Sequence, residues 1–368
     1  MSLFKKIFGG KKESAPENKE KKTQSSAVLK IKQIDRLTAD AVKVVFEVPE
    51  ALKSSYSYIP GQYLNLIVDV NGKKEHRSYS ICSGIDEPLA VGIKKVEKGI
   101  VSSYFNDSAK VGDEVEVGFP LGNFTMRKVE GKYVAFAAGS GITPVLSIAK
   151  LINETNDGQL ELFYGNRSDK SIMFEDELNA LSPEKVKITH IFSEEEKEGF
   201  LFGMLTEEMI TEIIRGNLEL LKAKGFYLCG PEKVIVNAQN VLKKFGVSED
   251  KMFYELFTTP VLMESTAEVV VSDFTGISKV TVIIDDEEEH FDLATNGDTI
   301  LSEAESHGVD APYSCRGGIC CTCKAKVLKG SATMDKNFSL TDSEVKEGYI
   351  LTCQAHPSSE EVTVSYDE

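Results

Sequence analysis

Four cysteines constrain this chain more than any other feature. Cys315, Cys320 and Cys323 stand as C-x4-C-x2-C, and Cys353 lies in a separate downstream segment. This is the ligand spacing of a plant-type [2Fe–2S] centre. One loop supplies three thiolates, and the fold must bring back the segment that carries the fourth. Within the loop, Gly317 and Gly318 tolerate positive φ and let backbone N–H groups turn toward sulfur. A structural zinc site is the alternative, but zinc ribbons pair two C-x2-C hairpins and the sequence has one such pair. Cys315, Cys320, Cys323 and Cys353 are therefore the candidate iron ligands. A cluster of this type moves single electrons, so the rest of the chain is expected to hold an electron source.

A length of 368 residues predicts two to three domains. The net charge of −16 argues against a nucleic-acid partner, whose phosphates need a basic face. From Phe274 onward acids outnumber bases by eleven, which suits either docking on a basic surface or simple solubility. With four cysteines given to iron, Cys82, Cys229 and Cys321 remain. That odd number does not suit a disulfide scaffold and predicts a reducing, cytoplasmic setting. No apolar run reaches the length of a membrane span. The N-terminal Met1–Lys12 segment is basic and amphipathic, so weak membrane-surface contact is one reading of it. The other reading is a disordered polar tail over residues 1–26.

Three patterns follow one another along the chain. Over 27–128, β-rich runs such as Ala41–Val48 and Tyr63–Val68 are punctuated by Gly and Pro, predicting a small antiparallel barrel. Over 129–260, apolar strands at Tyr133–Ala138, Leu160–Tyr164, Val186–Phe192 and Gly225–Cys229 alternate with helices expected at Pro144–Asn153 and Phe174–Leu181. That is a βαβ nucleotide-binding pattern. Residues 261–273 read as a linker. Over 274–368, a strand at Val280–Ile284 and a helix at Thr299–Ser306 precede the cysteine loop.

Several motifs suit a flavin and a dinucleotide. Arg77-Ser78-Tyr79-Ser80 offers a cation for phosphate, a ring for the isoalloxazine and a hydroxyl for N5, at alternating strand positions. Gly99 to Ser103 offers a glycine turn and backbone N–H groups for a pyrophosphate, while Ser102 and Ser103 would equally suit helix capping. Gly139-Ser140-Gly141-Ile142-Thr143-Pro144 joins a strand to a helix, where glycine admits a phosphate and Pro144 loses no hydrogen bond. Arg167, after the second strand, suits the 2′-phosphate that separates NADPH from NADH. Cys229-Gly230-Pro231 ends a later strand, which would point the thiol over the crevice at the strand ends. The five histidines show no metal-ligand spacing.

In this order, Arg77–Ser80, Gly99–Ser102, Gly139–Pro144, Cys229–Pro231 and Glu255-Leu256-Phe257 resemble the ferredoxin–NADP⁺ reductase superfamily fused to a C-terminal plant-type ferredoxin domain. The resemblance implies a multidomain fold: an antiparallel β-barrel for FAD, a Rossmann-like α/β domain for NADP, and an α+β, β-grasp ferredoxin domain. It implies that Arg77 holds the flavin phosphate, Tyr79 lies against the isoalloxazine and Ser80 sits near N5, with Gly99, Val101 and Ser102 along the FAD pyrophosphate. Thr143 would contact the NADPH phosphates and Arg167 the 2′-phosphate. Phe257 would shield the flavin face, with Glu255 close by. Cys320–Leu328, Met334–Asn337 and Gly348–Ala355 further resemble reductase subunits of ring-1,2-phenylacetyl-CoA epoxidases. That family implies NADPH, FAD and one [2Fe–2S] cluster feeding a di-iron oxygenase in phenylacetate catabolism. The alternatives are a reductase for another di-iron or Rieske oxygenase or for a desaturase, an NADH- and FMN-using relative, and an iron–sulfur redox sensor. The Lys- and Glu-rich N-terminal extension departs from the family pattern.

Overall fold

The computed structural model describes residues 25–70, 72–126, 128–263, 265 and 274–368. Nearly all of the expected N-terminal tail, and most of the expected linker, lie outside these residues.

The first region is an antiparallel sheet of six strands: β1 (Ser26–Thr38), β2 (Ala41–Glu47), β3 (Tyr63–Val70), β4 (Lys73–Ser80), β5 (Ala90–Lys94) and β6 (Glu114–Gly118). Their order is β4-β3-β6-β1-β2-β5. A bridge between Ile81 and Val91 curls the two ends of the sheet toward each other. Alternation drives this fold. Ala27, Leu29 and Ile31 of β1 turn inward while Lys30 and Lys32 stay exposed. The interior is filled by Leu29, Phe46, Leu64, Leu66 and Val117, with Phe105 of α1 (Ile100–Asp107) as its plug.

The second region is a six-stranded parallel sheet made of β7 (Gly131–Ala138), β8 (Gly158–Asn166), β9 (Val186–Phe192), β10 (Leu201–Phe202), β11 (Gly225–Cys229) and β12 (Met252–Glu255). The order is β10-β9-β8-β7-β11-β12. Strands such as β11, buried at every position, suit a sheet covered on both faces. The covering helices include α2 (Ile142–Glu154), α3 (Glu175–Asn179), α4 (Glu207–Gly216) and α5 (Glu232–Lys244). Strand order reverses at β7, which puts the switch-point crevice beyond the ends of β7 and β11. The helix expected at Phe174–Leu181 is only α3. Phe174 has φ of 61° and cannot begin it, and Pro183 restricts the residue before it.

The third region pairs β13 (Ile277–Ile284), β14 (Glu287–Ala294), β15 (Lys324–Lys329), β17 (Tyr349–Leu351) and β19 (Glu361–Ser365) in the order β14-β13-β19-β15-β17. Here β13 and β19 run parallel, and α6 (Ile300–Ser306) packs Ile300 and Ala304 onto the sheet in a β-grasp arrangement. The short strands β16 (Ala332–Met334) and β18 (Ala355–Pro357) and the helix α7 (Asp342–Lys346) complete it.

The barrel and the parallel sheet share one hydrophobic core, in which Ala41, Cys82 and Phe124 meet Ala135, Leu146 and Tyr227. A charge network crosses the same boundary. Lys150 of α2 is 6% exposed and pairs with Glu87 of the barrel region at 2.6 Å and with Glu177 of α3. Glu177 also receives Lys43 of β2 at 2.9 Å. No helix among the described residues is long and apolar enough to cross a membrane.

Candidate functional site

A cavity of about 960 Å³ opens at the switch point, between the ends of β7 and β11 and the β4 side of the barrel. It gathers most of the residues expected from the sequence: Arg77, Ser78, Tyr79 and Ser80 from β4; Gly99, Val101 and Ser102 from the start of α1; Gly139, Thr143 and Arg167 from the parallel sheet; and Gly230, Pro231 and Phe257. Gly141 and Pro144, expected with them, are buried and do not line it. A Cβ on Gly141 would sit 2.1 Å from the carbonyl oxygen of Cys229, so only glycine lets the turn pack this close to β11. The helix starts at Ile142, which keeps Pro144 in the first turn, where its missing N–H costs nothing. Ser102 does not cap α1. Its hydroxyl accepts the Val96 N–H at 3.1 Å and pins the preceding turn instead.

Ser80 donates a hydrogen bond to Glu255 Oε2 at 2.8 Å, joining the barrel to the end of β12. Desolvation is the larger influence on Glu255 and pushes its carboxyl up to about 7, against the lowering effect of the Ser80 hydroxyl. Cys229 departs from the expectation. Its thiol does not overhang the crevice but is fully buried, donating to the carbonyl oxygen of Glu255 at 3.5 Å. The chain turns at Gly230, so Gly230 and Pro231 face the cavity in its place.

A second cavity of about 490 Å³ lies against the first. Arg77, Ser78, Ser80, Phe257 and Thr258 belong to the walls of both, and the far wall of the second holds Cys315 and Cys320. The barrel grips the cysteine loop directly at this junction. The Cys321 N–H donates to the Tyr63 hydroxyl at 3.1 Å, and Asn65 Nδ2 donates to the Tyr313 carbonyl at 3.0 Å. Ser78 Oγ donates to Ser314 Oγ at 2.9 Å. His76 stacks on Tyr313 with ring centroids 4.2 Å apart, and Arg316 covers the same ring.

The four expected ligand cysteines converge here, with Cys353 brought to the loop from the segment after β17. The Sγ atoms of Cys320 and Cys315 are 3.2 Å apart, and hydrogen bonding from Cys320 and Cys353 draws the Cys315 thiol well down. Cys323 is likewise lowered, chiefly by its hydrogen bond with Cys353. The Gly317 N–H points at Cys315 Sγ at 3.3 Å. A Cβ on Gly317 would sit 2.0 Å from Thr259 Oγ1, so this glycine lets the loop press against the chain leaving the parallel sheet. Four soft donors with an amide aimed at sulfur fit a [2Fe–2S] cluster.

Three family models match successive parts of the chain: an oxidoreductase FAD-binding domain over residues 28–126, an oxidoreductase NAD-binding domain over 136–240, and a 2Fe-2S iron-sulfur cluster binding domain over 282–358. The chain is 34% identical over 348 residues to one component of the 1,2-phenylacetyl-CoA epoxidase of Escherichia coli K12, covering 92% of this chain and 97% of that protein. The chain belongs to the ferredoxin–NADP⁺ reductase superfamily, in the branch that ends in a [2Fe–2S] ferredoxin domain. The ferredoxin reductase component of the 3-ketosteroid-9-alpha-monooxygenase of Rhodococcus rhodochrous is 30% identical, with 93% and 97% of the two chains covered. The solved phthalate dioxygenase reductase shares the fold at a TM-score of 0.54 and 24% identity, over 92% of this chain and 98% of that one.

In this superfamily member Gly139, within the matched NAD-binding domain, has φ of 53° and nothing within 4 Å of the place a Cβ would occupy, which leaves open space at the cavity wall. Sequence reasoning misses the residues by which the reductase joins its flavin side to its cluster side. Tyr63, Asn65, His76, Tyr313 and Ser314 carry no local motif. Ser78, expected only as a flavin contact, lines the larger cavity and also donates to the cluster loop. Ser193 and Lys233, which line the nucleotide side of the larger cavity, also escape notice in the sequence.

Proposed function

We propose that this chain is an NADPH-dependent reductase that passes electrons through FAD and a [2Fe–2S] cluster to an oxygenase, with a phenylacetyl-CoA epoxidase as the acceptor. The observation that carries this reading is the common wall of the two cavities. Residues of the flavin motif stand on one side of it, and ligand cysteines stand across the smaller space on the other.

In this reading Arg77 holds the flavin phosphate, Tyr79 lies along the ring, and Gly99, Val101 and Ser102 border the pyrophosphate. Gly139, Gly141, Thr143 and Pro144 form the dinucleotide turn, and Arg167 meets the 2′-phosphate. Gly230, Pro231 and Phe257 border the nicotinamide, with Cys229 supporting the strand end from beneath. Cys315, Cys320, Cys323 and Cys353 hold the cluster. When bound, the flavin and the cluster together supply the conversion of a hydride's electron pair into single electrons. The protein supplies position, exclusion of water and a proton relay. Glu255, held near neutrality, keeps a proton within reach of the Ser80 hydroxyl. Tyr63, Asn65 and Ser78 hold the cysteine loop against the barrel, which would keep a bound cluster beside the flavin cavity.

The Escherichia coli relative, matched along nearly its whole length, supports this choice of acceptor. The steroid monooxygenase relative, matched over as much of both chains at 30% identity, supports a second reading with a different oxygenase as the acceptor. The test is NADPH consumption in the presence of a purified phenylacetyl-CoA oxygenase component, with and without phenylacetyl-CoA. Substrate-dependent consumption with epoxide formed is the expected result. Intact cytochrome c reduction without coupling would transfer the reductase to the second reading. Cys353→Ser should abolish cluster reduction while sparing flavin reduction, and full cytochrome c activity in that variant would remove the cluster from the path.

A further inference from the structure

The loop after β9 lies against the turn after β8. Ser193 N–H donates to the Asn166 carbonyl at 3.0 Å, and Glu194 N–H donates to the Arg167 carbonyl at 2.9 Å. The strand ladder thus runs on past its ends and fixes Glu194 beside Arg167. Their side chains form an ion pair, Arg167 Nε to Glu194 Oε1 at 3.7 Å, and are 77% and 66% exposed. Two other charges of this loop, Glu195 and Lys197, are engaged elsewhere. Glu195 accepts the Asp169 N–H at 3.1 Å, and Lys197 pairs with Asp169 at 3.0 Å. The turn itself is held by Ser171 Oγ, which accepts the N–H groups of Arg167 at 3.1 Å and of Ser168 at 3.0 Å. Arg167, Asn166, Ser171 and Ser193 all line the dinucleotide cavity.

A cation at this position favours a ribose 2′-phosphate. A carboxylate fixed next to it repels that phosphate, yet accepts hydrogen bonds from an unphosphorylated 2′-hydroxyl. The two side chains therefore pull nucleotide choice in opposite directions. An exposed pair is screened by water, and shifts an equilibrium by about two- to five-fold rather than by orders of magnitude.

We propose that Glu194 is a specificity-determining residue. It tempers the affinity of Arg167 for the 2′-phosphate, so that the enzyme accepts NADH as well as NADPH with only a modest preference for NADPH. This rests on the reading of Arg167 as the 2′-phosphate partner.

The experiment uses the full-length holoprotein and titrates it calorimetrically with 2′,5′-ADP, which carries the 2′-phosphate, and with 5′-ADP, which does not. kcat/KM for NADPH and NADH is measured alongside. Glu194→Gln should raise 2′,5′-ADP affinity about two- to five-fold without strengthening 5′-ADP, and shift the NADPH-to-NADH ratio by the same factor. The gain should fade in 0.5 M salt. Arg167→Gln should weaken 2′,5′-ADP about tenfold and spare 5′-ADP. If Arg167→Gln leaves both probes unchanged, the Arg167 reading fails and Glu194 falls with it. If Arg167→Gln acts as expected while Glu194→Gln moves neither probe, Arg167 stands and the role of Glu194 is refuted.

Discussion

Ser78 of the barrel and Ser314 of the cysteine loop, far apart in sequence, share a 2.9 Å hydrogen bond. Ser78 lines the flavin-side cavity, and Ser314 precedes the first ligand cysteine. Removing the bond with Ser78→Ala should cost about 1 kcal/mol of interface stability. Reduction of the flavin by NADPH should proceed at its normal rate, whereas stopped-flow reduction of the cluster should slow several-fold. Equal slowing of both phases would show that Ser78 serves the flavin alone.

Glu255 sets a pH dependence of its own. Its carboxyl is raised to about 7 from an ordinary value of 4.5, chiefly by desolvation. The folded protein therefore holds a proton that the unfolded chain releases. The resulting stability is complete below about 4.5, and is lost as pH rises through about 7, by an amount on the order of 3 kcal/mol. Denaturation midpoints between pH 4.5 and 8 should fall more steeply in the native protein than in Glu255→Gln. Parallel profiles would mean that Glu255 titrates normally.

At the junction with the cysteine loop, His76 behaves in the opposite sense. It is 7% exposed and stacked on Tyr313, and desolvation is the main cause of its lowered pKa. Its stability contribution is present above the ordinary histidine value of about 6.5, and is lost as pH falls below it. Nearby Glu116 and Asp310 oppose the shift, and Lys74 adds to it. Between pH 7 and 5.5 the interface should loosen, read as faster amide exchange at Tyr313 and Ser314. His76→Asn should remove that dependence.

Lys150 is buried against two carboxylates from different regions. Lys150→Met leaves Glu87 without its cation and Glu177 with Lys43 alone, and should cost about 3 kcal/mol in urea unfolding. Adding Glu177→Gln to that variant should restore part of the loss. No recovery would mean that the packing of the lysine stem, rather than its charge, is what matters.

The parts legible in the sequence are those with a local signature. Runs buried on every side, such as Gly225–Cys229, announce parallel strands, and C-x4-C-x2-C announces its ligands. The turn at Gly139–Pro144 is readable because glycine and proline have few alternative uses there. The contacts between regions are not readable. Tyr63 and Cys321 lie 258 positions apart, and a tyrosine on a β-strand looks the same whether its hydroxyl meets water or a neighbouring loop. The thiol of Cys229 eludes the sequence for a related reason, since a strand end fixes where a residue lies but not which side of the turn its side chain takes.

The three points at which Tyr63, Asn65 and Ser78 hold the cysteine loop have a consequence for anyone wishing to recombine such proteins. The ferredoxin part is not a detachable cartridge. A chimera that joins this barrel to a foreign ferredoxin inherits a tyrosine, an asparagine and a serine cut to fit a loop that has gone. A workable graft must carry the matching positions of strands β3 and β4 along with the cluster.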